Sequence, residues 1–154
     1  MEVHSDWYNR TVKVINLHKD TFSKKDSKKY KLDLLLRLTR RVDGFSATCG
    51  EYQMFQQEIT KLTESLYYVS NISKEERKSY FKTISNITKH LQKKHKLVKE
   101  GQYMGIGIAI GMGIGAALGA ALDNPGIGTP IGVAIGVAIG KYMDNKAKKE
   151  GKVI

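Results

Sequence analysis

The sequence predicts an all-α protein: an N-terminal bundle of three to four helices over residues 1–100, a transmembrane helical hairpin over 101–143 and a basic tail over 144–154. Three observations carry that reading. Apolar residues recur at helical spacing through the first hundred positions. Two long apolar runs follow, Tyr103 to Leu122 and Gly126 to Met143. The first is twenty residues without a charge, the length a helix needs to cross a hydrocarbon core. A short polar break at Asp123 and Asn124 separates them.

Taken in order, Asp6 to His18 places Trp7, Thr11, Val14, Ile15 and His18 on one helical face, with a short strand across TVKVINL as the alternative. SKKDSKKYK follows as a basic loop or helix start capped by Ser27 or Asp26. In KLDLLLRLTRRVDGF, residues Leu34, Leu35, Leu38, Val42 and Phe45 make a core stripe with Arg37, Arg40 and Arg41 outside it. Gly44 and Gly50 mark a break. Thr48 and Glu51 then have capping-box spacing, which sets Cys49 in the first turn of a helix carrying Phe55, Ile59, Leu62 and Leu66. Ser73 with Glu76 opens a fourth helix through Phe81, Ile84, Ile87 or Thr88, Leu91 and Val98, directed toward the apolar runs.

Within those runs glycine returns every fourth residue, at Gly107, Gly111, Gly115 and Gly119, and again at Gly128, Gly132, Gly136 and Gly140. This is the small-xxx-small spacing of packed membrane helices. Folding the chain antiparallel about the Asp123–Asn124 turn sets Gly119 against Gly128, Gly115 against Gly132, Gly111 against Gly136 and Gly107 against Gly140. A second small face runs through Gly105, Ala109, Gly113 and Ala117 on the first arm and Ala134 and Ala138 on the second. One face closes the hairpin and the other is left for a neighbouring copy, so a homo-oligomer is expected. Small and large residues also alternate from Gly105 to Gly115 and from Ile131 to Gly140, a strand period. Helix is preferred, because glycine weakens strand interiors and a two-stranded hairpin in lipid exposes unpaired backbone. Pro125 or Pro130 starts the second helix; a start at Pro130 leaves a short span that requires a thinned bilayer.

The stretch GIGIAIGMGIGAALGAALDN followed by PIGVAIGVAIG resembles the two-helix hairpin of bacterial glycine-zipper family proteins. The likeness covers about a quarter of the chain and leaves residues 1–100 without a family. It implies membrane insertion and helix packing. Tails of this kind occur in small membrane proteins and in secreted toxins that depolarise membranes, so it implies no single activity.

The net charge of +11 lies mostly ahead of the hairpin, where residues 1–102 hold 21 Lys and Arg against 12 Asp and Glu. Lys93, Lys94, Lys96 and Lys99 precede the first run, and Lys141, Lys146, Lys148 and Lys149 follow or close the second. Placed there, these lysines contact anionic headgroups and, by the positive-inside rule, set both termini in the cytoplasm with the turn outside the cytoplasmic membrane. The opening MEVHSDWYNR lacks the pattern of a signal peptide. One cysteine excludes an internal disulfide, and in TCGEYQ the partner position of a CxxC pair is Tyr52, so no redox or zinc motif is read there. His4, His18, His90 and His95 show no paired ligand spacing, and the glycine runs lack a phosphate-loop context. No catalytic residue, cofactor or metal is therefore expected. Lys24, Lys25, Lys28, Lys29, Lys31, Arg37, Arg40 and Arg41 form a basic patch without a nucleic-acid recognition motif, and nucleic acid is not the expected partner. The expected partners are an anionic bilayer, further copies of the chain and a protein bound by the N-terminal domain. Two functions use this hairpin: a non-enzymatic membrane anchor for a helical interaction domain, or a permeabilising protein of the toxin, abortive-infection or holin kind.

Overall fold

The computed structural model describes residues 4–154; Met1, Glu2 and Val3, with which the signal-peptide reading begins, lie outside the described residues. The chain divides into two compact units, residues 1–95 with Ile154 and residues 96–153.

The first unit is built from α1 (Asp6–Thr21), α2 (Lys24–Lys29), α3 (Leu32–Gly44), α4 (Tyr52–Ser65), a 3₁₀ turn (Leu66–Asn71) and α5 (Lys74–Lys94). TVKVINL is helical, not extended, because Ser5 caps α1 by accepting from the Tyr8 N–H and Asp6 sits in the positive first turn. α3 is the central element, packed against α1, α2, α4 and α5. Its apolar side supplies Leu32, Leu35, Leu38 and Val42 to a core completed by Ile15, Ile59, Leu66, Ile87 and Leu91. The buried hydroxyls of Thr39 and Thr88 donate to the carbonyls one turn back, Leu35 and Ile84, so neither is left unsatisfied. Tyr80 donates its hydroxyl to the Tyr30 carbonyl at 2.9 Å. Burial, then the nearby Tyr30, pushes its phenol far above the ordinary tyrosine value.

Several expectations for this unit need correction. The face of α1 centres on Tyr8, Thr11, Ile15 and His18; Trp7 and Val14 stand half-exposed at its margin, and Trp7 donates Nε1–H to Thr60 Oγ1 at 3.1 Å. The basic stretch is helical from Lys24, and its cap is Ser23, not Ser27 or Asp26, because Ser23 accepts from the Asp26 N–H. In α3 the buried stripe is rotated toward Leu32 and Thr39, leaving Leu34 and Phe45 half-buried. α4 starts at Tyr52 with no side-chain cap, so Cys49 lies in the preceding turn and not in a helix. α5 stops at Lys94, and Lys96 takes a left-handed conformation with φ of 55°, so Val98 is outside the helix.

The capping box at Ser73 is present in both directions. Ser73 Oγ accepts from the Glu76 N–H at 3.1 Å, and the Glu76 carboxylate accepts from the Ser73 N–H at 2.8 Å. The Ser73 N–H, then the Ser73 hydroxyl, hold the Glu76 carboxyl below its ordinary 4.5. A carboxylate with a depressed folded-state pKa stabilises above its unfolded value and loses that contribution as pH falls through the folded one. Acidification below the usual glutamate range therefore frays the first turn of α5 ahead of its centre, and Ser73→Ala costs about 1 kcal/mol at neutral pH. Amide exchange of Glu76 and Arg77 against pH, compared with that of Ile87, measures both; equal loss of protection along α5 would contradict the assignment.

The second unit contains α6 (Gln102–Ala121) and α7 (Pro125–Lys149). Among the described residues they are the two helices long and apolar enough to cross a membrane. No strand occurs among the described residues; Val98 and Val153 form an isolated parallel bridge, with the Val98 N–H donating to the Lys152 carbonyl at 2.8 Å. The alternation of small and large residues thus yields to helix, whose backbone is satisfied within each arm.

α6 ends in a Schellman turn. The Asn124 N–H reaches the Gly119 carbonyl and the Asp123 N–H the Ala120 carbonyl, while Asp123 carries the left-handed residue at φ of 48°. Aspartate tolerates this conformation better than most side chains. The second arm begins at Pro125, where a missing N–H costs nothing, and Pro130 is accommodated inside the helix. The second arm is therefore the longer of the two alternatives, and the short arm starting at Pro130 does not form. α7 continues past Met143 to Lys149 and closes with a second Schellman turn on Gly151, φ of 66°.

Candidate functional site

The arms of the hairpin meet backbone to backbone. Gly111, Gly115, Gly119, Gly128, Gly132, Gly136 and Gly140 are buried between them and Gly107 is half-buried. A Cβ added at Gly107 would stand 3.2 Å from the Gly140 Cα, one at Gly111 3.1 Å from the Gly136 Cα, and one at Gly115 3.1 Å from the Gly132 Cα. At the turn, Gly128 is in the same relation to Gly119. These are the four pairs that an antiparallel fold about Asp123 and Asn124 sets opposite one another. The packing is also offset by a turn: the carbonyls of Gly136, Gly132 and Gly128 fill the places where Gly107, Gly111 and Gly115 would carry side chains. Each glycine thus seats against two residues of the other arm, and contact at this distance exists only because both sides lack a Cβ.

An acidic residue closes the open end. Asp144, on α7, accepts from the backbone N–H groups of Tyr103 at 3.0 Å and Met104 at 2.9 Å. Those amides belong to the first turn of α6, whose own N-cap, Gly101, has no side chain to offer. Sequence reading missed this role. An acid in the basic C-terminal part of a helix was the available signal, since a negative charge is unfavourable there for its own helix.

The second small face remains uncovered. Gly105, Ala109, Gly113, Ala117, Ala134 and Ala138 are all exposed in the isolated chain, and a Cβ added at Gly105 or Gly113 would meet nothing within 4 Å. The large side chains beside them, including Ile106, Ile110 and Ile114 on α6 and Ile131, Ile135 and Ile139 on α7, are also exposed. The eight lysines expected at headgroups, Lys93, Lys94, Lys96, Lys99, Lys141, Lys146, Lys148 and Lys149, are exposed as well.

The first unit brings together a group that the sequence reading kept apart. Cys49, from the turn before α4, lies with Sγ 3.4 Å from Nε2 of His90 on α5. Glu51 approaches the other nitrogen of that ring, with Oε2 2.9 Å from His90 Nδ1. His95, the residue after α5, stacks on Phe45 at 3.9 Å and stands 5.4 Å from the His90 ring. Burial, then the neighbouring His90, lowers the His95 pKa below the ordinary 6.5. Elsewhere in this unit, Glu58, Leu62, Tyr68 and Tyr80 line an open groove of about 660 Å³ between α4 and α5, where burial raises the Glu58 carboxyl.

No curated protein and no solved structure matches the chain. A family match covers residues 98–146, most of the second unit, and none of the first. Residues 98–146 are similar to the family described as glycine zipper membrane protein, and this likeness, with two candidate spans in glycine-to-glycine contact, points to a membrane protein.

Proposed function

We propose that this chain is a non-enzymatic membrane anchor: the hairpin inserts in the cytoplasmic membrane with both termini cytoplasmic, oligomerises through its second small face and tethers the helical unit as an interaction domain. The division of the small residues carries the proposal. One glycine face is used up within the hairpin, and an equivalent face on its outside is uncovered amid exposed isoleucines. Withdrawing some ten half-exposed Ile, Met and Leu side chains from water contributes on the order of 10 kcal/mol, which favours lipid over solvent. In lipid that term no longer drives helices together, and close backbone approach along Ala109 and Gly113 does. Lysines at both outer ends and a turn without Lys or Arg favour cytoplasmic termini.

A Gly113→Leu substitution separates oligomerisation from hairpin closure, since position 113 touches nothing in the isolated chain. The expected result is a shift from oligomer toward monomer by at least tenfold in dissociation constant, with the hairpin intact, read by native electrophoresis and cross-linking in lipid nanodiscs. An unchanged distribution contradicts use of this face. Protease digestion of the N-terminal unit from outside the cytoplasmic membrane would contradict the orientation.

The same face supports a second reading, in which hairpins assemble to permeabilise the membrane. Between Gly105 and Gly140 the acid of the turn is the only charge, so a lumen would be lined by backbone and small side chains. Leakage of dye from anionic liposomes that Gly113→Leu abolishes favours the pore, and its absence at high protein-to-lipid ratio favours the anchor.

A further inference from the structure

We propose that Cys49, His90 and His95 form a binding site for a single zinc ion, oriented by Glu51, at the junction of the α3–α4 turn and the C-terminal end of α5. One donor atom from each of the three residues lies within 4.8 Å of the others. The Cys49 Sγ to His90 Nε2 separation of 3.4 Å matches the edge of one coordination tetrahedron. Bonds of about 2.3 Å to sulfur and about 2.0 Å to nitrogen set their ends roughly 3.5 Å apart.

The tautomer of His90 is set for ligation. Its Nδ1 faces the Glu51 carboxylate at 2.9 Å, so the proton belongs on Nδ1 and the Nε2 lone pair is turned toward the thiol. A carboxylate behind a ligating imidazole is the arrangement that orients metal-bound histidines and raises their basicity. A second, independent sign comes from His95. Its Nε2 is buried and has no hydrogen-bond partner, and an unpaired buried polar atom of this kind costs about 1–3 kcal/mol. Coordination removes that cost.

The donor set selects the ion. One thiolate and two imidazoles suit a borderline-soft divalent cation and exclude calcium or magnesium, which take oxygen ligands. Zinc keeps three protein ligands and a fourth position for water. Binding releases one proton, from the Cys49 thiol, as the sulfur–zinc bond forms. Contrary to the reading of the sequence, which found no paired ligand spacing among the histidines, His90 and His95 have the H-x₄-H spacing found in zinc sites; the absence of a CxxC pair hid the site because its sulfur comes from 41 residues upstream of His90. The ion would join the α3–α4 turn to the end of α5, stiffening the last helix of the first unit.

The test uses the full chain in detergent micelles, with any affinity tag removed and with cobalt and zinc as probes. The expected result is one cobalt per chain, with a thiolate-to-cobalt charge-transfer band and four-coordinate visible bands that zinc displaces. Cys49→Ser removes the charge-transfer band. His95→Gln weakens zinc binding by at least tenfold, and Glu51→Gln by about 10–100-fold, each with an unchanged far-ultraviolet circular dichroism spectrum. Should a variant unfold, the native chain decides: zinc slows alkylation of Cys49 at least tenfold and a chelator restores it. An alkylation rate indifferent to zinc, or a cobalt spectrum without the sulfur band, overturns the site.

Discussion

Gly132→Ala opens the hairpin, whereas Gly113→Ala leaves it closed and slightly firmer. Both changes gain the same helix propensity, about 1 kcal/mol. At Gly113 the new methyl group enters open space. At Gly132 it runs into the Gly111 carbonyl and stands 2.6 Å from the Gly115 Cα and N. All three atoms are backbone in the opposing helix, so no side chain can swing away. The arms must separate, and because the glycines alternate along the whole interface, the separation extends to neighbouring contacts. Overpacking of this kind costs about 3 kcal/mol, which leaves a net loss of about 2 kcal/mol after the propensity gain. The sign difference between the two positions is the result to look for. Spin labels at Ile106 and Ile139, in a chain with Cys49 replaced by serine, should report a larger interarm distance for Gly132→Ala and none for Gly113→Ala. Thermal unfolding in micelles should shift in opposite directions. An unchanged distance in Gly132→Ala contradicts interlocked packing.

The hairpin was legible because its packing rule is local and repetitive. A glycine every fourth residue on both arms, with a turn between, determines which faces can approach, and no distant residue has to be known. Ser73 and Glu76 were legible for the same reason: the whole motif spans four residues. Elements that depend on partners far along the chain were not. Thr48 and Glu51 have the spacing of a capping box, yet Glu51 instead turns its carboxylate to His90 on α5, so the helix starts later and Cys49 is left in the turn. Likewise Tyr30 lies in the stretch SKKDSKKYK, read only as a basic loop or helix start, although it is almost fully buried against Tyr80 and Phe81. Periodicity gives the face of a helix to within a residue or so; packing decides the rest. That is why the α3 stripe was displaced toward Leu32 while its centre, at Leu35 and Leu38, was read correctly.

Removing the Asp144 carboxylate should have the second large effect on the hairpin, at the end opposite the turn. Asp144 lies near the negative C-terminal end of its own helix, α7, among Lys141, Lys146, Lys148 and Lys149. Its charge gains nothing from the dipole of α7, and its hydrogen bonds serve the α6 N-terminus, where it accepts from two amides. Hydrogen bonds to a charged group contribute about 1.5–3 kcal/mol each, and water replaces part of that when the carboxylate is lost. The net cost of Asp144→Ala is therefore about 2–3 kcal/mol, concentrated in the first turn of α6 and in the Gly140 contact with Met104 beside it. Asp144→Asn keeps an acceptor without the charge and should fall between Ala and the native chain. Exchange of the Tyr103 and Met104 amides in nanodiscs should speed up about 30-fold or more in Asp144→Ala, with the amides around Gly115 unchanged. Protection retained at Tyr103 and Met104 would mean that α6 caps itself, and that the glycine contacts alone hold the two arms in register.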